Sequence, residues 1–122
     1  MEKCCKQCVN PETVASIKQA MMSDEALYDI ADFFKALGDS TRMKILTALL
    51  SHEACVTELS EAIGLGQSAI SHQLRVLRQN NLVKFRKEGK STFYALDDSH
   101  VRLLLSQAVE HVLHTRHKVA HK

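Results

Sequence analysis

Apolar positions in this 122-residue chain recur mostly at steps of three and four, the spacing of helices that bury one face. From Ser23-Asp24-Glu25, a capping and acidic first-turn signal, the pattern predicts a helix to Leu37, stopped by Gly38. Asp39-Ser40-Thr41 caps a second helix over Arg42 to Leu50, with Met43, Ile45, Leu46, Leu49 and Leu50 apolar. Two more follow. Val56 to Ile63 carries the stripe Val56, Leu59, Ile63, and Gln67 to Asn80 carries Ile70, Leu74, Leu77. Gly64-Leu65-Gly66 between them completes a helix-turn-helix pattern. The period then changes to two: Val83 and Phe85 alternate with Lys84 and Arg86, Lys87-Glu88-Gly89-Lys90 is a turn, and Thr92, Phe93 and Tyr94 are strand formers. A last helix runs from Asp98 through His114. At the other end, residues 12–22 are helix-capable, and residues 1–12 read as a mobile arm with Asn10-Pro11 as a turn.

The expected fold is mainly α with a small β-hairpin (α+β): a winged helix-turn-helix. Its expected parts are a cysteine-containing arm and short helix (1–22), a DNA-binding and dimerisation domain (23–117) and a tail (118–122). Aromatics are 5% and Trp is absent, so the core must rest on Leu, Ile, Val, Ala and Met. A formal charge of +2 is too small to announce nucleic-acid binding by itself; any basic surface must be local. No apolar run approaches the ~20 residues of a membrane span, and Met1 to Cys8 lacks the apolar stretch of a secretory signal. A cytoplasmic protein without membrane contact is the expectation.

Two local concentrations of polar chemistry stand out. Opposite the apolar stripe of the Gln67–Asn80 helix lie Ser68, Ser71, His72, Arg75 and Gln79. Core packing does not require such a face, whereas a recognition helix needs it to read base edges in a major groove. A solvated face would look the same on this helix alone, but the hairpin adds Lys84, Arg86, Lys87 and Lys90, placed to touch phosphate without sequence choice.

The second concentration is on the last helix, where Asp98 and His100 stand near one end and His111 and His114 near the other. Eleven residues of helix put His100 and His111 on one face but roughly 16 Å apart. Ligands of one zinc ion must lie within about 4 Å of each other. One chain therefore cannot close the site. If the helix lay antiparallel beside its own copy across a two-fold axis, two identical sites would form, each from Asp98 and His100 of one protomer with His111 and His114 of its partner. This donor set suits zinc or cobalt in a tetrahedron. Solvated surface histidines are the plainer alternative. Of the four cysteines, Cys4, Cys5 and Cys8 cluster at the start and Cys55 lies mid-chain; in a reducing cytosol they suit metal ligation or redox sensing better than disulfides.

Glu53-Ala-Cys-Val-Thr-Glu-Leu, Ser68-Ala-Ile-Ser-His-Gln-Leu-Arg-Val-Leu-Arg78, Phe85-Arg-Lys-Glu-Gly-Lys90 and the Asp98-x-His100 helix together resemble the ArsR/SmtB family of metal-sensing repressors, over residues 24 to 117. The resemblance implies a winged-helix homodimer that binds an inverted-repeat operator in double-stranded DNA when metal-free and is released by zinc or a similar ion (cadmium, lead, cobalt). It adds Gln73 to the DNA-reading residues and matches Asp98, His100, His111 and His114 to the family's intersubunit site. It also likens Cys4 and Cys8, with Cys55, to a thiolate site of the cadmium- and lead-sensing branch. That branch carries Cys-Val-Cys where this chain has Cys55-Val56-Thr57, so one ligand is missing, and Cys5 could replace it. Thiolates prefer soft ions. His117 and His121 could extend the histidine set toward six ligands, as in nickel- and cobalt-sensing relatives.

Other readings compete. A zinc hydrolase would need an open coordination position and a general base, and neither a phosphate loop nor a nucleophile motif is present, so catalysis is not expected. A repressor of the same fold sensing thiol oxidation through Cys4, Cys5, Cys8 and Cys55 is the main alternative; a metal-blind winged helix is a third.

Overall fold

The computed structural model describes residues 9–120, with side chains through residue 116. The elements are α1 (Pro11–Ala20), α2 (Asp24–Leu37), α3 (Ser40–Ser51), α4 (Val56–Ile63), α5 (Gln67–Gln79), β1 (Val83–Glu88), β2 (Ser91–Leu96) and α6 (Ser99–Ala120). Contacts divide the chain into two units, one ending at Asp32 and one beginning at Phe33.

In the first unit, Asn10-Pro11 starts a helix rather than forming the expected turn. Asn10 Oδ1 accepts from the Glu12 and Thr13 backbone N–H groups at 2.9 and 3.4 Å. Pro11 takes the first helical position, where its missing N–H costs nothing. Residues 1–8 of the expected arm lie outside the described residues.

The second unit is built on α3, α4 and α5. Asp39 caps α3 through its carboxylate on the Arg42 N–H at 3.0 Å. Ile45 and Leu46 are fully buried, with Leu49 beside them. They meet Leu59 of α4 and Ile70, Leu74 and Leu77 of α5, the stripes expected from the spacing. Gly64 ends α4 in the left-handed region (φ 84°, ψ 29°), a conformation that costs an L-residue about 1–2 kcal/mol. A Cβ placed there would meet nothing within 4 Å, so backbone conformation is the whole reason for glycine. Ser60 closes the turn by donating to the Leu65 carbonyl.

The hairpin is tighter than expected. β1 continues through Lys87 and Glu88, and the register Val83↔Leu96 to Glu88↔Ser91 leaves a two-residue loop, Gly89-Lys90. Gly89 has φ 61°, which releases the strands to pair up to the loop. Ala54 and Tyr94 exchange backbone hydrogen bonds of 3.0 and 2.8 Å, fastening the α3–α4 connection to β2. Val83 and Leu96 carry the hairpin into the core, and Val101 and Leu105 do the same for α6. Arg102 Nη1 donates to the Leu50 carbonyl at 2.8 Å, tying α6 to the end of α3.

Two substitutions separate packing from backbone conformation. Leu46→Ala should lose about 2–5 kcal/mol of unfolding free energy through lost burial and a cavity. Gly64→Ala should lose about 1–2 kcal/mol. Urea denaturation monitored by circular dichroism measures both; equal losses would contradict the burial of Leu46.

Candidate nucleic-acid interface and metal ligands

Ser68, Ser71, His72, Arg75 and Gln79 are all exposed on α5, while Ile70, Leu74 and Leu77 are wholly buried behind them. The short side chains near the N-terminus of the helix leave its backbone open to a close approach. Among the predicted base-reading residues, Gln73 stands apart. It is half-buried, and its Oε1 accepts from Arg42 Nε at 3.0 Å. Arg42 Nη1 also donates to the Ala36 carbonyl at 3.3 Å. The guanidinium thus joins the end of α2, the start of α3 and the middle of α5. A DNA contact by Gln73 would have to displace it. Sequence reasoning missed Arg42. The available signal was a cation in the first turn of a helix, where the dipole disfavours positive charge and an external acceptor is needed.

On the hairpin, Lys84, Lys87 and Lys90 are exposed, and among the described residues none has an ion-pair partner. Arg86 differs. It bonds Glu53 through Nε at 3.0 Å and also through Nη2, and bonds Glu88 through Nη1 at 2.5 Å. Its guanidinium carbon lies 4.9 Å from the centre of the Phe93 ring. The hydrogen bond from Arg86 holds the Glu53 carboxyl below the usual carboxylate range. Reciprocally, Glu53 and then Glu88 push the Arg86 pKa upward. Arg78 stacks over Phe85 at 4.2 Å, joining α5 to the hairpin.

On α6, Asp98 serves as the N-cap. Its Oδ1 accepts from the Val101 N–H at 2.9 Å, and Oδ2 lies 3.6 Å from His100 Nδ1. The Val101 hydrogen bond, with a smaller contribution from His100, keeps the Asp98 carboxyl below its usual range. The His100 side chain is 93% exposed. His111 and His114 line one surface recess with Gln107 and Glu110. At 3.6 residues per turn, His100, Gln107, His111 and His114 fall within about 60° of arc on α6. The helix is unbroken from Ser99 to Ala120, so His100 and His111 are roughly 16 Å apart along it. Among the described residues, no three His, Cys, Asp or Glu side chains gather to hold a metal ion.

Cys55 is a half-buried free thiol directly before α4, its N–H donating to Glu58 Oε1 at 2.9 Å. Cys4, Cys5, Cys8 and His121 lie outside the described residues, as does the side chain of His117.

The family described as "Bacterial regulatory protein, arsR family" matches residues 39–84, the helix-turn-helix and the start of the hairpin. A Synechocystis protein named transcriptional repressor SmtB homolog is 38% identical over 92% of this chain and 85% of its own length. The chain belongs to the arsR family. A Staphylococcus aureus cadmium resistance regulatory protein, a CadC homolog, is 44% identical over 68% of this chain and 69% of its own length. The solved homodimeric winged helix-turn-helix DNA-binding domain of a Mycobacterium bovis protein described as "a possible ArsR-family transcriptional regulator" superposes with a TM-score of 0.69 at 29% identity, covering 84% of this chain and 95% of that one. This arsR-family chain is accordingly a winged-helix, DNA-binding transcriptional regulator of the repressor type and not an enzyme. No helix among its described residues is long and apolar enough to cross a membrane.

Losing one good base contact costs about 1–3 kcal/mol. Arg75→Ala should therefore weaken operator binding by that amount in fluorescence anisotropy while leaving the thermal melt unchanged. Neutralising Lys87 and Lys90 should instead weaken operator and random duplex alike and flatten the salt dependence.

Proposed function

We propose that this arsR-family regulator is a cytoplasmic, metal-responsive repressor that binds an inverted-repeat operator as a metal-free homodimer and is released by zinc or a similar divalent ion. The supporting observation is the division of one helix into two ligand pairs, Asp98 with His100 and His111 with His114, too far apart to share an ion within one chain. The residues fit such an ion. Asp98 keeps Oδ2 free of the capping hydrogen bond, and the imidazoles of His100, His111 and His114 are exposed on one side of α6. Leu103, Val112 and Leu113 on the same helix are each more than half exposed, apolar area that a second copy would cover. The names of the Synechocystis and S. aureus relatives point the same way for those proteins.

In this reading Ser68, Ser71, His72 and Arg75 face the major groove, Gln73 reaches it by leaving Arg42, and the lysines of the hairpin hold phosphate. Asp98 and His100 of one protomer and His111 and His114 of its partner would hold the ion, with four donors in the closed tetrahedron typical of regulatory and structural zinc. Zinc bound there would cross-link the two α6 helices and fix their relative angle. The coupling must be reciprocal: whatever factor zinc takes from DNA affinity, DNA takes from zinc affinity. A thiolate site of Cys55 with Cys4, Cys5 and Cys8 would favour cadmium or lead. Its test is a thiolate-to-metal charge-transfer band that falls in Cys55→Ser.

Subunit mixing tests the shared site. His100→Ala and His111→Ala homodimers should each lack high-affinity zinc sites, because each lesion damages both. The mixed dimer places both lesions in one site and should regain about one zinc per dimer in a competition titration. A mixture no better than its parents would refute the intersubunit arrangement. Asp98→Asn adds a sharper discrimination. Asn caps helices about as well as Asp, so this variant should keep the wild-type melt yet lose zinc affinity, whereas a purely capping role predicts neither change.

A further inference from the structure

The hairpin carries four cations, yet one of them is handled differently from the rest. Arg86 sits between Glu53 and Glu88 with its flat face on Phe93, while the three lysines have no such partner among the described residues. Glu53 is not a wandering surface carboxylate. Its neighbour Ala54 is fixed to Tyr94 by two backbone hydrogen bonds, so the carboxylate is presented to β1 from a braced position. Glu53, Phe93 and Arg86 line one recess on the hairpin, with Lys84 beside them but not within ion-pair distance of Glu53.

Stability does not account for the arrangement. Glu53 and Arg86 side chains are 41% and 50% exposed, and exposed pairs contribute little to folding. Their effect on charge is larger. Lys84, Arg86, Lys87 and Lys90 would offer the duplex four positive charges; Glu53 and Glu88 both engage Arg86 and leave three. Each phosphate neutralised by a cation adds to affinity for any sequence and steepens its salt dependence. A cation withheld from phosphate therefore lowers this sequence-independent affinity and its salt dependence.

We propose that Glu53 is a positioning residue that, with Glu88, withholds Arg86 from the DNA backbone, so that the hairpin reaches phosphate through its lysines alone. The carboxylate acts through Arg86 and does not touch DNA. The inference rests on the DNA-binding reading of α5 and the hairpin.

The test is the salt dependence of random-duplex binding by the metal-free, full-length protein, followed by anisotropy across 50–200 mM salt. Glu53→Gln removes the carboxylate that takes two of the three hydrogen bonds holding Arg86 and should let the guanidinium reach one more phosphate, steepening the logarithmic slope by about 0.9. The affinity loss across that salt range then grows about threefold, for operator and random duplex alike. Glu53→Asp, which keeps the charge but shortens the reach, should steepen it in the same direction. Arg86→Gln should leave the wild-type slope in place, and adding Glu53→Gln to it should change nothing further.

A slope that flattens by about one in Arg86→Gln would show that Arg86 already holds phosphate and would overturn the proposal. So would an equal steepening by Glu53→Gln with and without Arg86, since Glu53 would then act by its own charge. An unchanged slope in Glu53→Gln overturns it as well. Wild-type protein that binds neither operator nor random duplex would be a different failure, that of the DNA-binding reading itself.

Discussion

The aliphatic contact among α3, α4 and α5 is the constraint on which everything else rests. Ile45, Leu46 and Leu49 on one side, Leu59 on the second and Ile70, Leu74 and Leu77 on the third are buried together. In a chain with no Trp and few other aromatics, the fully buried anchors of these helices are aliphatic. Their relative angle is set by many small dispersion contacts, individually weak and collectively decisive. Because α5 commits its whole apolar stripe to that contact, its serines, His72 and Arg75 are turned outward as one face. The hairpin and α6 add only their roots to the same core, through Val83, Leu96, Val101 and Leu105.

Around this core the charges are sorted by what surrounds them rather than by sign. Arg42 and Arg86 are turned inward along the surface, onto Gln73 and the Ala36 carbonyl in one case and onto two carboxylates in the other. Arg75 and the hairpin lysines are left to solvent. Guanidinium groups are well suited to the first role, since a planar fork can meet several acceptors at once, while an ammonium serves as a mobile point charge for phosphate. A chain with a net charge of only +2 can in this way show a concentrated basic surface.

Asp98 illustrates how one carboxylate carries two burdens. One oxygen ends the last strand's return and starts α6 by accepting the Val101 N–H; the other faces His100. The same hydrogen bond that begins the helix holds the carboxyl below its usual range. Local helix initiation and the proposed metal chemistry thus share one side chain, and asparagine, which keeps the cap, separates them where alanine would not.

Much of this was legible in the linear pattern. The stripes of three and four, the Asp39 cap, the glycine after Ile63 and the change to period two each report a local preference that the core then reinforces. The Asn10-Pro11 pair misled because the same residues serve turns and helix starts, and only the free N–H groups that follow decide between them. The hairpin loop proved shorter than expected because strand pairing up to Gly89 depends on its positive φ, which composition does not encode. Candidate ligands and base-reading residues could be named from spacing, since a helix of known rise converts sequence separation into distance. By itself, then, the chain determined its elements, their buried faces and the separation of His100 from His111. The partner of Gln73 and the Glu53 partner of Arg86 were decided by tertiary structure alone. Positions 31 and 33 residues away supply those partners, and such contacts depend on how helices and strands come to lie against one another, which no local propensity records.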